Sequence, residues 1–149
     1  MAYWLLKSEP DVFSIDDLAK LKVTGWEGVR NYEARNFMLK MKKGDRAFFY
    51  HSNADPSAIV GEVEVVKEAY PDPAQFNLRS PHYDPKSPHE RPTWWQVDVR
   101  FLRKYPRPLP LDDLRKEPKL KGMALVRRGR LSVTPVARDE WWLILSRCG

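Results

Sequence analysis

Residues Ala58–Glu68 read "AIVGEVEVVKE". Ile59, Val63 and Val65 alternate with Glu62 and Glu64, the period of two expected of a strand with one face buried and one in water. Thr93–Lys104, "TWWQVDVRFLRK", repeats the pattern, with Trp95, Val97, Val99 and Phe101 on the apolar side and Gln96, Asp98 and Arg100 on the polar side. The two segments match each other, so the 68–92 stretch between them is expected to be a long loop of one domain spanning residues 1–149 and not a linker. It holds six prolines and two histidines. Loops of this length inside a compact domain commonly carry function.

Working outward, Tyr3–Glu9 predicts a first strand, stopped by Pro10. "KKGDRAFFYHS" predicts a turn and a strand with Phe48 and Tyr50 on one face and Phe49 and His51 on the other. "GRLSVTPV" predicts a short last strand. Helices are expected where the period changes. Ser14 and Asp17 form a capping box before Ile15, Leu18 and Leu21, and Asn31 caps a helix whose stripe is Ala34, Phe37, Met38 and Met41. "PLDDLRKEP" and "ARDEWWLILSR" predict two more. No strand–helix–strand rhythm recurs. The expected class is α+β, mostly β, with a mixed or antiparallel sheet curled into a small barrel.

The 149 residues are 42% hydrophobic and 12% aromatic, with six Trp and 13 Pro, a globular composition rich in indole. The net charge is +6 and the pI about 9.5. Through Glu90 there are 12 basic and 14 acidic residues; from Arg91 onward there are 14 and 6. A basic half suggests a polyanion as partner. The single cysteine, Cys148, excludes an intramolecular disulfide and a cysteine metal cluster. No apolar run approaches the roughly 18 residues of a membrane span, and the first residues lack the features of a signal peptide. The expected setting is therefore the cytoplasm, or the nucleus in a eukaryote, with the chain acting as a monomer.

Dinucleotide, P-loop, zinc-protease and serine-elbow motifs are all missing. His82, Asp84, His89 and Glu90 lie near one another, but without metal-ligand spacing on a defined element. Neither a metal nor a cofactor is expected. Three clusters remain. In "GWEGVRNYEARNFM" (25–38), Arg30 and Asn31 stand at a helix entrance, where exposed amides favour an anion; the alternative is a capped surface helix with Arg30 paired to Glu27 or Glu33. "FFYHSN" (48–53) ends a strand in groups able to hydrogen-bond beside aromatics, as a base-sized pocket requires, or simply in a polar turn. Arg127, Arg128 and Arg130 surround a glycine and form either a phosphate clamp or a solvated turn.

Taken in order, "WLLKSEP", "WEGVRNYEARNFM", "GDRAFFYHSN", "IVGEVEVVKEAYPD", "TWWQVDVRF", "GMALVRRGRLSVTPV" and "EWWLIL" resemble the EVE domain, a branch of the PUA-like superfamily, over nearly the whole chain. The resemblance implies a pseudo-barrel of about five or six strands with short flanking helices. It also implies a non-catalytic module that reads modified bases, such as methylcytosine, in DNA or RNA. Carried over by motif, the base pocket would draw on Lys7 and Ser8, on Trp26, Val29, Arg30, Asn31 and Tyr32, on Tyr50, His51 and Ser52, and on Ser132. Trp95 fits either pocket or core. Two rivals stand beside this reading: an RNA-binding accessory module of RNA modification or translation, and an enzyme on modified nucleotides with His51 as general base.

Overall fold

The computed structural model describes residues 1–149. Six strands form one mixed sheet: β1 (Tyr3–Ser8), β2 (Val23–Gly25), β3 (Arg46–His51), β4 (Ala58–Pro71), β5 (Trp95–Pro110) and β6 (Val133–Val136), in the order β2-β5-β4-β3-β1-β6. All neighbours are antiparallel except β1 and β3, which run parallel. The helices are α1 (Ile15–Leu21), α2 (Tyr32–Lys40), α3 (Leu111–Lys116), α4 (Ala124–Arg127) and α5 (Arg138–Cys148). The class is α+β, as the alternation predicts.

The sheet is covered on both faces. Phe49, Val63, Val65, Val97 and Val99 pack with Ile15 and Leu18 of α1 and Ala34 and Met38 of α2. Phe48, Tyr50, Ile59 and Tyr105 pack on the other side with Leu114 of α3, Leu125 of α4, and Trp141 and Ile144 of α5. The split within "FFY" follows directly from strand alternation. Helix α2 touches β6 at one edge and β5 and β4 toward the other, so the sheet curls around it.

Local signals place the helices. The Ser14 hydroxyl accepts from Asp17 N at 3.1 Å while the Asp17 carboxylate accepts from Ser14 N at 2.9 Å. Asn31 Oδ1 accepts from Ala34 N at 2.9 Å. Leu21, expected in the apolar stripe of α1, is instead exposed. Two further residues differ from their expected side. Glu62 is buried, held by Arg46 at 3.4 Å and by the Tyr105 hydroxyl at 3.2 Å. The β4–β5 register shifts on both sides of it, and such bulges turn alternate residues to the other face. Gln96 is also buried, donating to the Tyr70 hydroxyl, which donates in turn to Asp98. Burial penalises the phenolate and raises the Tyr70 pKa.

The proline-rich stretch contains more structure than a loop. Strand β4 runs into it as far as Pro71, and a 3-10 turn follows at Pro73–Phe76. Gln75 stitches the remainder together: its amide donates to Asp72 O and Trp94 O, both at 2.8 Å, and its Oε1 accepts from Ser87 Oγ and Trp94 N at 2.6 and 3.0 Å. The histidines and acids of this stretch are dispersed. Asp84 accepts from the Trp94 indole at 2.7 Å, and His89 stacks on Phe76 with ring centroids 4.1 Å apart.

Candidate nucleic-acid interface

Three distant segments meet at one end of the sheet. Because β1 and β3 are parallel, Lys7 lies beside Tyr50 and Ser8 beside His51. Ser52 N donates to Ser8 O at 3.0 Å, extending the pairing past the strand end. On the other side Lys7 N donates to Ser132 O at 2.9 Å, and Lys7 Nζ reaches Gly129 O at 2.6 Å. The chain then turns, and the Ser8 hydroxyl donates to Phe13 O at 2.6 Å, which fixes Val12 and Phe13 over the strand end. Trp26 N donates to Val97 O at 2.8 Å, anchoring the segment after β2.

Three hollows result, joined in a row. The first, about 250 Å³, is walled by the aromatic side chains of Trp26 and Phe13, floored by Lys7, Ser8 and Gly25, and completed by His82 from the proline-rich loop. Trp26 meets Phe49 and Phe13 edge-on at 5.4 and 6.3 Å between ring centroids, which fixes its plane. The second hollow, about 530 Å³, shares Lys7 and Ser8 with the first and is polar, with Tyr50, Ser52, Asn53, Arg130 and Ser132 around it. The third, about 350 Å³, shares Arg130 with the second and adds Asn31, Arg127 and Arg128. A planar ring fits the first, and anionic groups suit the other two.

Burial shapes the titration of the groups between hollows. Partial burial lowers the Lys7 pKa, and burial raises that of Tyr50. Arg127 and Arg130 are exposed, whereas Arg128 is paired with Glu33 at 2.8 and 3.1 Å.

The residues predicted from sequence divide accordingly. Lys7, Ser8 and Trp26 line the first hollow; Tyr50, Ser52, Ser132 and Arg130 the second; Asn31, Arg127 and Arg128 the third. The other four lie elsewhere. Val29 is a core residue. Tyr32 is exposed and leans on Trp94 with ring centroids 5.1 Å apart. His51 accepts Ile15 N at Nε2, 3.1 Å away, satisfying an otherwise open amide at the start of α1. Arg30, expected at a base edge or a phosphate, is spent inside the protein. It donates to Asp72 and Val29 O, both at 3.0 Å, and twice to His82 O at 3.1 and 2.7 Å. Its acidic partner is neither Glu27 nor Glu33 but Asp72, 42 positions away in sequence. Trp95 is half-buried, its indole donating to Pro92 O at 3.0 Å.

Sequence reasoning missed Phe13, Gly25 and His82 in the first hollow, and Asn53 and Ser57 in the second. A signal existed for Gly25 and Phe13, since both adjoin residues already singled out. For His82 the signal was only the length of the proline-rich loop and its histidines, because no periodicity says where such a loop folds back.

Comparison with known proteins gives a consistent picture. The EVE domain family pattern matches residues 2–147. Mouse thymocyte nuclear protein 1 is 48% identical, across 97% of this chain and 72% of its own length. The crystal structure of human THYN1 protein in complex with 5-methylcytosine-containing DNA superposes with a TM-score of 0.95 at 44% identity, covering 98% of this chain and 96% of that one. A protein from Pseudomonas putida superposes with a TM-score of 0.96 at 42% identity, covering 99% and 100%.

Proposed function

The chain belongs to the EVE domain family, and from that premise we propose that it is a non-catalytic module that holds one modified nucleobase, 5-methylcytosine first among candidates, drawn out of a DNA strand into the aromatic hollow. The observation that carries this reading is the adjacency of an aromatic-walled cavity of about 250 Å³ to two polar hollows edged by Lys7, Arg127 and Arg130. The complex formed by the human relative with 5-methylcytosine-containing DNA supports it. The base would lie against Trp26 and Phe13, its 5-methyl group adding apolar contact. The strand would leave over Lys7 toward the arginines, with Ser52 and Ser132 beside the sugar–phosphate and not the base.

The energetics are consistent with a preference for modified or unpaired targets. Stacking supplies about 1–3 kcal/mol per base. Drawing a paired base from a duplex costs a few kcal/mol. The two nearly cancel, so phosphate contacts and base-edge hydrogen bonds determine net binding. The rival enzymatic reading loses its general base, because the His51 Nε2 lone pair is occupied by Ile15 N–H.

The test is fluorescence anisotropy with matched oligonucleotides carrying cytosine or 5-methylcytosine. Wild type is expected to prefer the methylated strand, and Trp26→Phe, which keeps an aromatic ring but a smaller one against Phe13 and Phe49, to weaken that preference. Equal affinity of the wild type for both strands would overturn the proposal.

A further inference from the structure

We infer that His82 is the residue that reads the edge of the bound base, and that Arg30, Asp72 and Gly28 exist to position it. The inference rests on the aromatic hollow being the base site. It concerns which group there confers selectivity.

Free hydrogen-bonding capacity in the hollow is concentrated on His82. Most polar side chains lining the hollow are already committed. The Ser8 proton goes to Phe13 O at 2.6 Å, the Lys7 ammonium is drawn aside to Gly129 O at 2.6 Å, and the Thr24 hydroxyl leans on Gly25 O at 3.4 Å. The main chain of His82 is also fully used, its N donating to Ser80 Oγ at 3.1 Å and its carbonyl accepting twice from Arg30. The imidazole nitrogens make no hydrogen bond, although the residue is half-buried at the cavity wall. A neutral imidazole offers one donor and one acceptor, and the pairing edge of cytosine presents both an amine and acceptor atoms. The remaining candidate, Glu27, is exposed and acceptor-only, and its charge opposes an approaching phosphate chain.

His82 is also held in place from two sides. The Arg30 guanidinium grips the His82 carbonyl with two N–H groups while binding Asp72, which is fully buried. The ring itself sits directly on Gly28: a Cβ there would stand 2.6 Å from Nε2 and 2.8 Å from both Cδ2 and Cε1. Gly28 also has a φ of +84°, open to glycine and strained for other residues. Backbone and ring are thus pinned separately, and Asp72 links the pins, since its carboxylate also accepts Gly28 N at 2.9 Å. A side chain that merely filled space would not need a fork, a buried counter-charge and a glycine seat.

The experiment compares wild type, His82→Phe, His82→Ala and Arg30→Lys across a salt series on matched oligonucleotides carrying cytosine, 5-methylcytosine or thymine, the last sharing the 5-methyl group and differing on the pairing edge. His82→Phe keeps a ring of similar bulk but removes both nitrogens. It is expected to lose about tenfold or more of the wild-type preference for 5-methylcytosine over thymine, as is His82→Ala, while the salt slope, which phosphate contacts set, stays as in wild type. Arg30→Lys, acting through His82, should lower the preference for 5-methylcytosine over thymine and leave the salt slope unchanged. Removing a phosphate contact would instead shallow that slope by about 0.9 on duplex. If wild type prefers 5-methylcytosine to thymine and His82→Phe and His82→Ala keep that preference in full, or if wild type favours 5-methylcytosine over cytosine but not over thymine, the assignment of His82 is overturned and the base site stands. If wild type does not tell 5-methylcytosine from cytosine, both fall. A shallower slope in Arg30→Lys would return Arg30 to the phosphates and remove the positioning argument.

Discussion

Replacing Asp72 by asparagine tests the clamp behind the aromatic hollow. The carboxylate accepts three hydrogen bonds, from Gly28 N at 2.9 Å, Arg30 Nη1 at 3.0 Å and Ala74 N at 2.8 Å, and its side chain is wholly buried. In Asp72→Asn the side-chain amide could still accept from Ala74 through its one oxygen. Its NH₂ group would then face two donors, the Gly28 amide and the Arg30 guanidinium. Breaking a buried ion pair from one side costs about 3–5 kcal/mol. The Arg30 side chain is 22% exposed, so water rehydrates part of it and the expected destabilisation lies at the low end of that range, about 3 kcal/mol. For a domain of this size that corresponds to a fall in Tm of roughly 6–12 °C. Urea denaturation of wild type, Asp72→Asn, Arg30→Met and the double variant gives the coupling, expected above about 1 kcal/mol for groups that touch directly. The loop should also loosen, exposing Arg79 and Lys86 to faster tryptic cleavage in Asp72→Asn. Additivity within about 0.5 kcal/mol, together with unchanged proteolysis, would refute the clamp.

Three further outcomes are expected. Burial lowers the His51 pKa, outweighing the opposing pull of Asp16. The unfolded chain therefore takes up a proton first as pH falls through about 6.5, and stability declines from there down to the folded value. Urea melts at pH 7.5 and 5.5 should show this decline, with a smaller one in His51→Gln; identical declines would refute the assignment. Cys148 is buried, its thiol pushed up to about 11, so native protein at pH 8 should resist a thiol-reactive dye that labels it promptly in denaturant; prompt native labelling would contradict the packing of α5. Arg127→Gln with Arg130→Gln should reduce the salt slope of binding to single strands by about 0.7 for each phosphate no longer neutralised, without altering the preference between bases. An unchanged slope would take both arginines off the strand.

The fold was legible wherever one residue type repeats at a fixed period. Phe48 and Phe49 announced opposite faces of β3, and Ser14, Asp17 and Asn31 announced helix starts, because alternation and capping are local rules. Legibility failed where the answer depends on distant partners. Glu62 reads as solvent-facing until the bulges of the β4–β5 pair rotate it inward beneath Tyr105. Gln96 reads as surface because its satisfying hydroxyl, on Tyr70, lies 26 positions away. Strand β5 extends unexpectedly to Pro110. Pro106, Pro108 and Pro110 alternate, so their nitrogens share one edge, and β2 pairs with β5 only through Arg100, leaving that edge open beyond. At the candidate site, residue type was enough to single out Trp26 and the arginine cluster, which line hollows, whereas the ion pair of Arg30 depended on distant Asp72 and the placement of His82 on the fold of the loop.

The joining of β1 to β6 has a consequence for synthesis. Lys7 binds carbonyls, on Gly129 and Ser132, that are synthesised more than a hundred positions after it; the Gly129 bond spans 122. At about 5–20 residues per second, that separation corresponds to roughly 6–25 s of translation. Throughout that interval the β1 edge that will receive β6 stands open, and the second hollow has only one of its sides. A nascent chain should therefore complete the second and third hollows, and with them the proposed phosphate contacts, only when "RLSV" emerges, and not in proportion to length. Until then it presents an unpaired strand edge of the kind that chaperones cover.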